Sequence, residues 1–294
     1  MSKKKKNWRN RLQAFDYINY VFLFILMLLV IVPFFYTIVK SLMTQHEFIM
    51  NGSTLWPKEP TFNNYTIVFV AGNFGRAFLN SLFYTVFGVA WNLFITVTLA
   101  YGLSKKNYPG RTIFQNMVVV IMYFGGGLIP FFLVVKALGL MGTRWSIILP
   151  FGLEAYNMII MRTFFERFPA EMEEAAKLDG ANPFQIFARI VLPLTKAPLA
   201  TLTLFFAMDR WNEWFFSSLF LGDSKLWPVQ LQLRQILWAT SGFMKNVPAE
   251  AGRTVFSEGL KSAAVIITMV PIMLVYPFLQ KYFVKGVMIG ALKS

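Results

Sequence analysis

Glu174-Ala175-Ala176-Lys177-Leu178-Asp179-Gly180, continuing to Ile190-Val191-Leu192-Pro193, is a polar stretch set between two long apolar runs, 145–161 and 199–221. Pro169 suits the first turn of a helix, and Glu171, Glu173 and Glu174 near that start complement the helix dipole. Glu, Ala, Lys and Leu are good helix formers, so the helix is expected to run to Gly180, which supplies the left-handed residue of a stop. Asn182-Pro183 then restarts a helix, with Asn as cap and Pro at the first helical position. Ala175, Ala176 and Gly180 give a face without bulk, as a helix seated in a partner's groove needs. An ordinary amphipathic loop helix has the same composition. A soluble-looking helix–turn–helix between two membrane runs is a handle for something outside the chain, and points to a driven part.

The flanks set the solvent. Apolar residues make up 56% of the 294, charged residues only 14%, and Phe alone occurs 32 times. Mean hydropathy is +0.52. A soluble domain of this length carries more charge, so the bilayer is the expected solvent. The net charge of +14 is better explained by cationic loops between apolar runs than by nucleic acid. There is no cysteine, and His46 is the single histidine. Thiolate chemistry, disulfides and Cys-based metal sites are thereby excluded, and His-based catalysis or metal binding is implausible.

Six runs have the roughly 20 residues that cross the hydrocarbon core: 17–39, 78–103, 113–135, 145–161, 199–221 and 263–283. The first follows Lys3 to Lys6, Arg9 and Arg11, is too long for a signal-peptide core, and has no Ala-x-Ala site. It reads as an uncleaved span. With the N-terminus inside, the inner segments hold 17 Lys and Arg against 9 outside, which places both termini in the cytoplasm. The organisation expected is all-α: a basic cytoplasmic segment 1–16, a six-span domain 17–283 with the polar loop 168–193 between spans four and five, and a cytoplasmic tail 284–294. Two outer segments are long, and 227–238 of the second reads as an amphipathic helix at the outer face.

Charged groups at bilayer depth usually face a cavity or a partner. Span five carries Asp209, Arg210 and Glu213, interleaved with Trp211, Asn212 and Trp214. Asp209 and Glu213, four apart, are expected on one helix face. Two readings stand: internal pairing that fixes packing, or a sugar site in which aromatic faces stack on pyranose rings and Asn, Glu and Arg bind hydroxyls or a uronate. Glu154 and Asn157 in span four form a second, weaker group. Gln230, Gln232 and Arg234 on the outer segment are further candidates for contact with substrate or partner.

The loop resembles the signature of importer-type ABC transporter permeases: Glu-Ala-Ala, three residues, Gly, nine residues, then Ile-x-Leu-Pro. Glu174, Ala175, Ala176, Gly180, Ile190, Leu192 and Pro193 all match. The whole chain is similar to the second permease of maltose-type carbohydrate importers, through Asn80-Ser81-Leu82, Ala100-Tyr101-Gly102-Leu103-Ser104 and Trp211-Asn212-Glu213-Trp214. Gly125-Gly126-Gly127-Leu128-Ile129-Pro130 and the stretch from Tyr276-Pro277 to Lys285-Gly286 resemble the complex-polysaccharide subgroup. The resemblance implies that the loop is a coupling helix docking on an ATPase subunit, with Glu174 and Gly180 as key positions and Glu171 and Asp179 beside them. It implies a homologous second permease, two ATPase subunits and an extracytoplasmic solute-binding protein in a bacterial cytoplasmic membrane. ATP and Mg would be used by the ATPase partners, with no cofactor on this chain. The chain has no G-x-x-x-x-G-K-[ST] loop, and Gly125–Gly127 reads as close packing or a break within a span.

The expected solute is an oligosaccharide, and Arg210 points to an anionic one such as a pectin- or alginate-derived uronate. Three alternatives remain at this level. One is an importer permease for another solute class. Another is an intramembrane enzyme, for which Asp209 and Glu213 are the one acid pair, with no base beside them. The third is a self-contained channel, which leaves the loop unexplained.

Overall fold

The computed structural model describes residues 14–52, 54–238 and 256–291. Most of the basic segment 1–16, and the part of the second outer segment that holds Lys245 and Arg253, lie outside the described residues. The chain divides into two compact units, 1–68 with 247–266, and 69–246 with 267–294.

In the first unit, α1 (Ala14–Leu42) is a 29-residue helix. Its side chains from Phe15 to Val32 are exposed almost without interruption, an apolar surface that suits a lipid environment. At its end Asn64, itself buried, donates to the carbonyls of Ser41 and Met43 at 2.9 and 3.0 Å. Thr44 then caps α2 (Gln45–Asn51) by accepting from Glu47 N. α3 (Asn63–Ala71) follows.

The second unit is built on α4 (Phe74–Ser104), whose 31 residues span about 46 Å at 1.5 Å each. Its buried face is small or polar, with Asn80, Ser81, Gly88, Asn92 and Thr96, as suits close packing in a membrane. Asn80 donates to the carbonyls of Lys225 and Trp227 and accepts from Arg144, and Tyr84 donates to the Leu226 carbonyl. Ser81 Oγ accepts from Val229 N at 2.8 Å. The outer segment is pinned to α4 by these four hydrogen bonds made by three side chains, Asn80, Ser81 and Tyr84. Replacing Asn80 with Ala strands two carbonyls and is expected to cost about 2–3 kcal/mol. Thermal unfolding of the detergent-solubilised chain reads this, and an unchanged midpoint rules out the anchoring role.

Next come α5 (Arg111–Tyr123) and α6 (Leu128–Ala137), bent 117° from one another. The expected third span is therefore not one helix. Gly126 and Gly127 take positive φ, 69° and 85°, and end it. Nor is the expected fourth span, 145–161, continuous: short 3₁₀ turns at Arg144–Ile147 and Leu149–Phe151 precede α7 (Ala155–Glu166). Pro150 has no N–H to sustain a ladder there. Irregular backbone survives at membrane depth only where protein or a cavity satisfies it. Side chains do so here: Trp91 donates to the Leu149 carbonyl, Asn92 to Phe151 and Arg210 to Ile147.

α8 (Ala170–Leu178) and α9 (Pro183–Ile186) form the loop, and a π turn at Phe187–Val191 leads into α10 (Leu192–Leu194). α11 (Lys196–Trp211) departs at 81° from the preceding segment. The expected fifth span is broken too: 212–214 is not helical, and α12 (Phe215–Phe220) is separate. α13 (Val229–Trp238) occupies the position read as an amphipathic outer helix, and α14 (Ser257–Ala291) closes the described chain. α4, α7 and α11 share the main core, which includes Val97, Ala100, Met158, Met161, Leu202 and Phe206. By length and composition, three described helices can cross a membrane, or five if each bent pair counts as one crossing.

Candidate functional site

The helix interruptions converge. A cleft of about 830 Å³ is lined by Asn92 of α4, Gly125 and Gly127 at the α5–α6 break, and Leu128 and Phe131 of α6. Pro150, Phe151, Leu153 and Glu154 of the irregular segment, with Met208, Asp209, Arg210, Asn212, Glu213, Phe215 and Phe216 around the end of α11, complete its wall. Five of the residues singled out in the sequence meet there: Glu154, Asp209, Arg210, Asn212 and Glu213.

Their roles differ. Arg210 donates from Nη1 to the Ile147 carbonyl at 3.1 Å, and its guanidinium carbon lies 4.9 Å from the Phe151 ring centre. Its stem crosses α4 at Gly88, where a Cβ would stand 2.8 Å from Arg210 Cδ. Glu213 accepts from the backbone N–H of Phe216 and Ser217 at 2.7 and 3.2 Å, capping α12. It lies past the end of α11, so Asp209 and Glu213 do not share a helix face as expected. Asn212 accepts from Gln230 of α13 at 3.2 Å. Glu154 accepts from the buried Asn157, which stands behind the wall and outside the lining. Among the described residues none of the four charged groups is ion-paired within 4 Å. Asp209 is exposed. Glu154 and Asp209 thus present carboxylate oxygens as hydroxyl acceptors, beside the Phe131, Phe151 and Phe216 rings.

Two tryptophans stand elsewhere. Trp211 is 6% exposed, packs edge-on against Phe78 at 5.6 Å, and donates from its indole to the Thr268 carbonyl. It closes an apolar interface and does not face the cleft. Trp214 is covered by Arg234, 3.4 Å from its ring centre. Asn92 and the four phenylalanines of the lining, Phe131, Phe151, Phe215 and Phe216, escaped the sequence reading. An Asn in the middle of an apolar helix, four residues from Thr96, was the available signal for the first; the phenylalanines are invisible among 32.

The loop folds as its residues predict. Gly180 has φ +81°; its N–H bonds the Lys177 carbonyl and that of Ala181 bonds Ala176, both at 3.0 Å, which is the Schellman stop. Asn182 and Gln185 cap each other reciprocally, with Pro183 first in α9. Pro169 stands one place before α8, at its N-cap. Glu171, Glu174, Ala175 and Leu178 occupy one outward face, at positions i, i+3, i+4 and i+7. Ala176 departs from expectation: at 7% exposed it belongs to the chain's own core with Phe165 and Ile186, so it holds the loop down from inside. Glu173 pairs with Lys105 at the end of α4 (Nζ to Oε2, 2.6 Å), tying α8 to α4. Leu178 and Phe184, 90% and 75% exposed, flank the Gly180 turn with apolar surface that the sequence reading passed over. Asp179 and Gly180 are exposed between them. The same loop exposes the carboxylates of Glu171, Glu174 and Asp179.

Residues 97–289 match the family model of the binding-protein-dependent transport system inner membrane component. Protein LplC of Bacillus subtilis is 42% identical over 289 residues, covering 96% of each chain. The polygalacturonan/rhamnogalacturonan transport system permease protein YtcP of the same organism is 39% identical, over 97% of this chain and all of that one. Among solved structures, a chain of a bacterial ABC transporter involved in import of the acidic polysaccharide alginate superposes with TM-score 0.83 at 34% identity, covering 92% of this chain and 96% of that one.

Proposed function

We propose, since this chain belongs to the family of binding-protein-dependent transport system inner membrane components, that it is a permease subunit of an ABC importer for acidic oligosaccharides. Similarity over the full length to a permease for polygalacturonan and rhamnogalacturonan, and to an alginate importer chain, carries the reading. The cleft is consistent with it: carboxylates and amides for sugar hydroxyls stand beside aromatic rings. In this reading the protein makes six crossings, the irregular 144–154 segment and α7 together forming the fourth, with both termini cytoplasmic. The exposed face of α8 with Leu178 and Phe184 docks on an ATPase subunit. A second, homologous permease closes the open side of the cleft, and a solute-binding protein delivers the sugar from outside. The chain hydrolyses nothing itself; ATP and Mg belong to the ATPase pair.

Purification of the chain from its native membrane tests this. It is expected to bring a second permease and an ATPase, whose activity rises with binding protein loaded with oligogalacturonate or oligoalginate. A stable chain that brings no ATPase overturns the importer assignment. A complex stimulated only by some other class of solute overturns the sugar.

A further inference from the structure

We infer that Arg234 forms a carboxylate-binding subsite at the edge of the cleft, taking the uronate group of the passing oligosaccharide, an inference that rests on the acidic-oligosaccharide reading above. Arg210, the cation expected from sequence to do this, is poorly placed for it. Its guanidinium holds the Ile147 carbonyl and lies over Phe151, and Glu154, Asp209 and Glu213 line the same cleft. A sugar carboxylate brought there meets three carboxyl groups around a single guanidinium that is already engaged.

Arg234 is differently built. Its guanidinium carbon sits 3.4 Å from the centre of the Trp214 ring and 4.7 Å from that of Trp238. Stacking on indole faces holds a guanidinium flat while leaving its in-plane N–H donors free, the geometry that forks a carboxylate. No carboxylate among the described residues lies within 4 Å of it. The subsite adjoins the cleft through Asn212, which lines the cleft and accepts from Gln230, one turn before Arg234 on α13. Trp238, 76% exposed, offers the same ligand a ring face for a pyranose.

The test uses the complete importer with its binding protein in vesicles, fed trigalacturonate and trimannuronate, each as free acid and as methyl ester. Arg234→Gln is expected to lower the preference for acid over ester about tenfold, the loss of one charge-assisted pair, with uptake of the ester unchanged. Arg234→Lys should keep part of the preference, since charge remains but the fork is gone. An equal fall for acid and ester would make Arg234 a docking contact for the binding protein or a folding element, and overturns the subsite. So does an unchanged ratio. If the wild-type importer takes up none of the four, the acidic-oligosaccharide reading itself fails and the subsite falls with it.

Discussion

Valine at position 180 is expected to lower solute uptake about tenfold or more while leaving the chain inserted at normal abundance. Gly180 sits at φ +81° with open space around the position a Cβ would take. The penalty is therefore conformational: a non-glycine residue in the left-handed region costs about 1–2 kcal/mol, and a β-branched one is a genuine outlier. The turn relieves this by shifting, and Leu178 and Phe184 on either side move apart. A loss of about 1.4 kcal/mol in docking is tenfold in affinity. Gly180→Asn should retain most uptake, because Asn tolerates this conformation. Glu174→Ala keeps α8 intact and removes only an outward charge, so it should uncouple ATP hydrolysis from uptake without altering stability. Uptake and stimulated ATPase activity measured side by side check all three. Normal coupling in Gly180→Val would remove the loop from the transport cycle.

The second large effect is expected at Arg210. Truncation to Ala deletes a charge-assisted hydrogen bond to Ile147, empties the stem's seat against Gly88, and leaves Glu154, Asp209 and Glu213 without the one cation in the lining. Together these should cost about 3–5 kcal/mol, seen as a large fall in the detergent-solubilised unfolding midpoint. Gly88→Leu approaches the same outcome from α4, since even its Cβ would stand 2.8 Å from Arg210 Cδ. If Arg210→Ala unfolds at the wild-type temperature, the tie between α11 and the irregular wall carries no stability.

Local chemistry was legible where it acts alone. The Gly180 stop, the Asn182 cap and the proline opening α9 follow from residues within a few positions of each other, and the structure has all three; the reciprocal bond from Gln185 was not read from the sequence. The first two apolar runs likewise became α1 and α4. Three other runs looked equally continuous and are interrupted, because a hydropathy window does not register where the backbone ladder ends. Gly125–Gly127, and Pro150 with Gly152, were visible warnings; nothing comparable marks the break after Trp211. That break explains the misplaced tryptophan. With the helix ending at residue 211, the Trp-Asn-Glu-Trp segment fans out, so Trp211 turns into the protein and Glu213 caps the next helix. Ala176 misled for another reason: a small side chain suits a partner's groove and a crowded interior equally well.

The turn between α8 and α9 also has a mechanical meaning. It is cross-braced by the two backbone bonds of the Gly180 stop and the two reciprocal bonds of the cap, all made within the turn's own residues. A joint triangulated this way has little compliance. Load applied at Leu178 passes along α9 and α10 as through a strut and reaches the next change of direction, the 81° elbow before α11. There buried Thr195 folds its hydroxyl back onto the Val191 carbonyl, and the adjoining π turn already departs from regular helix. In the proposed coupling role, the give of this lever is expected at that elbow, and stiffening it is expected to change how far α11 swings for a given push.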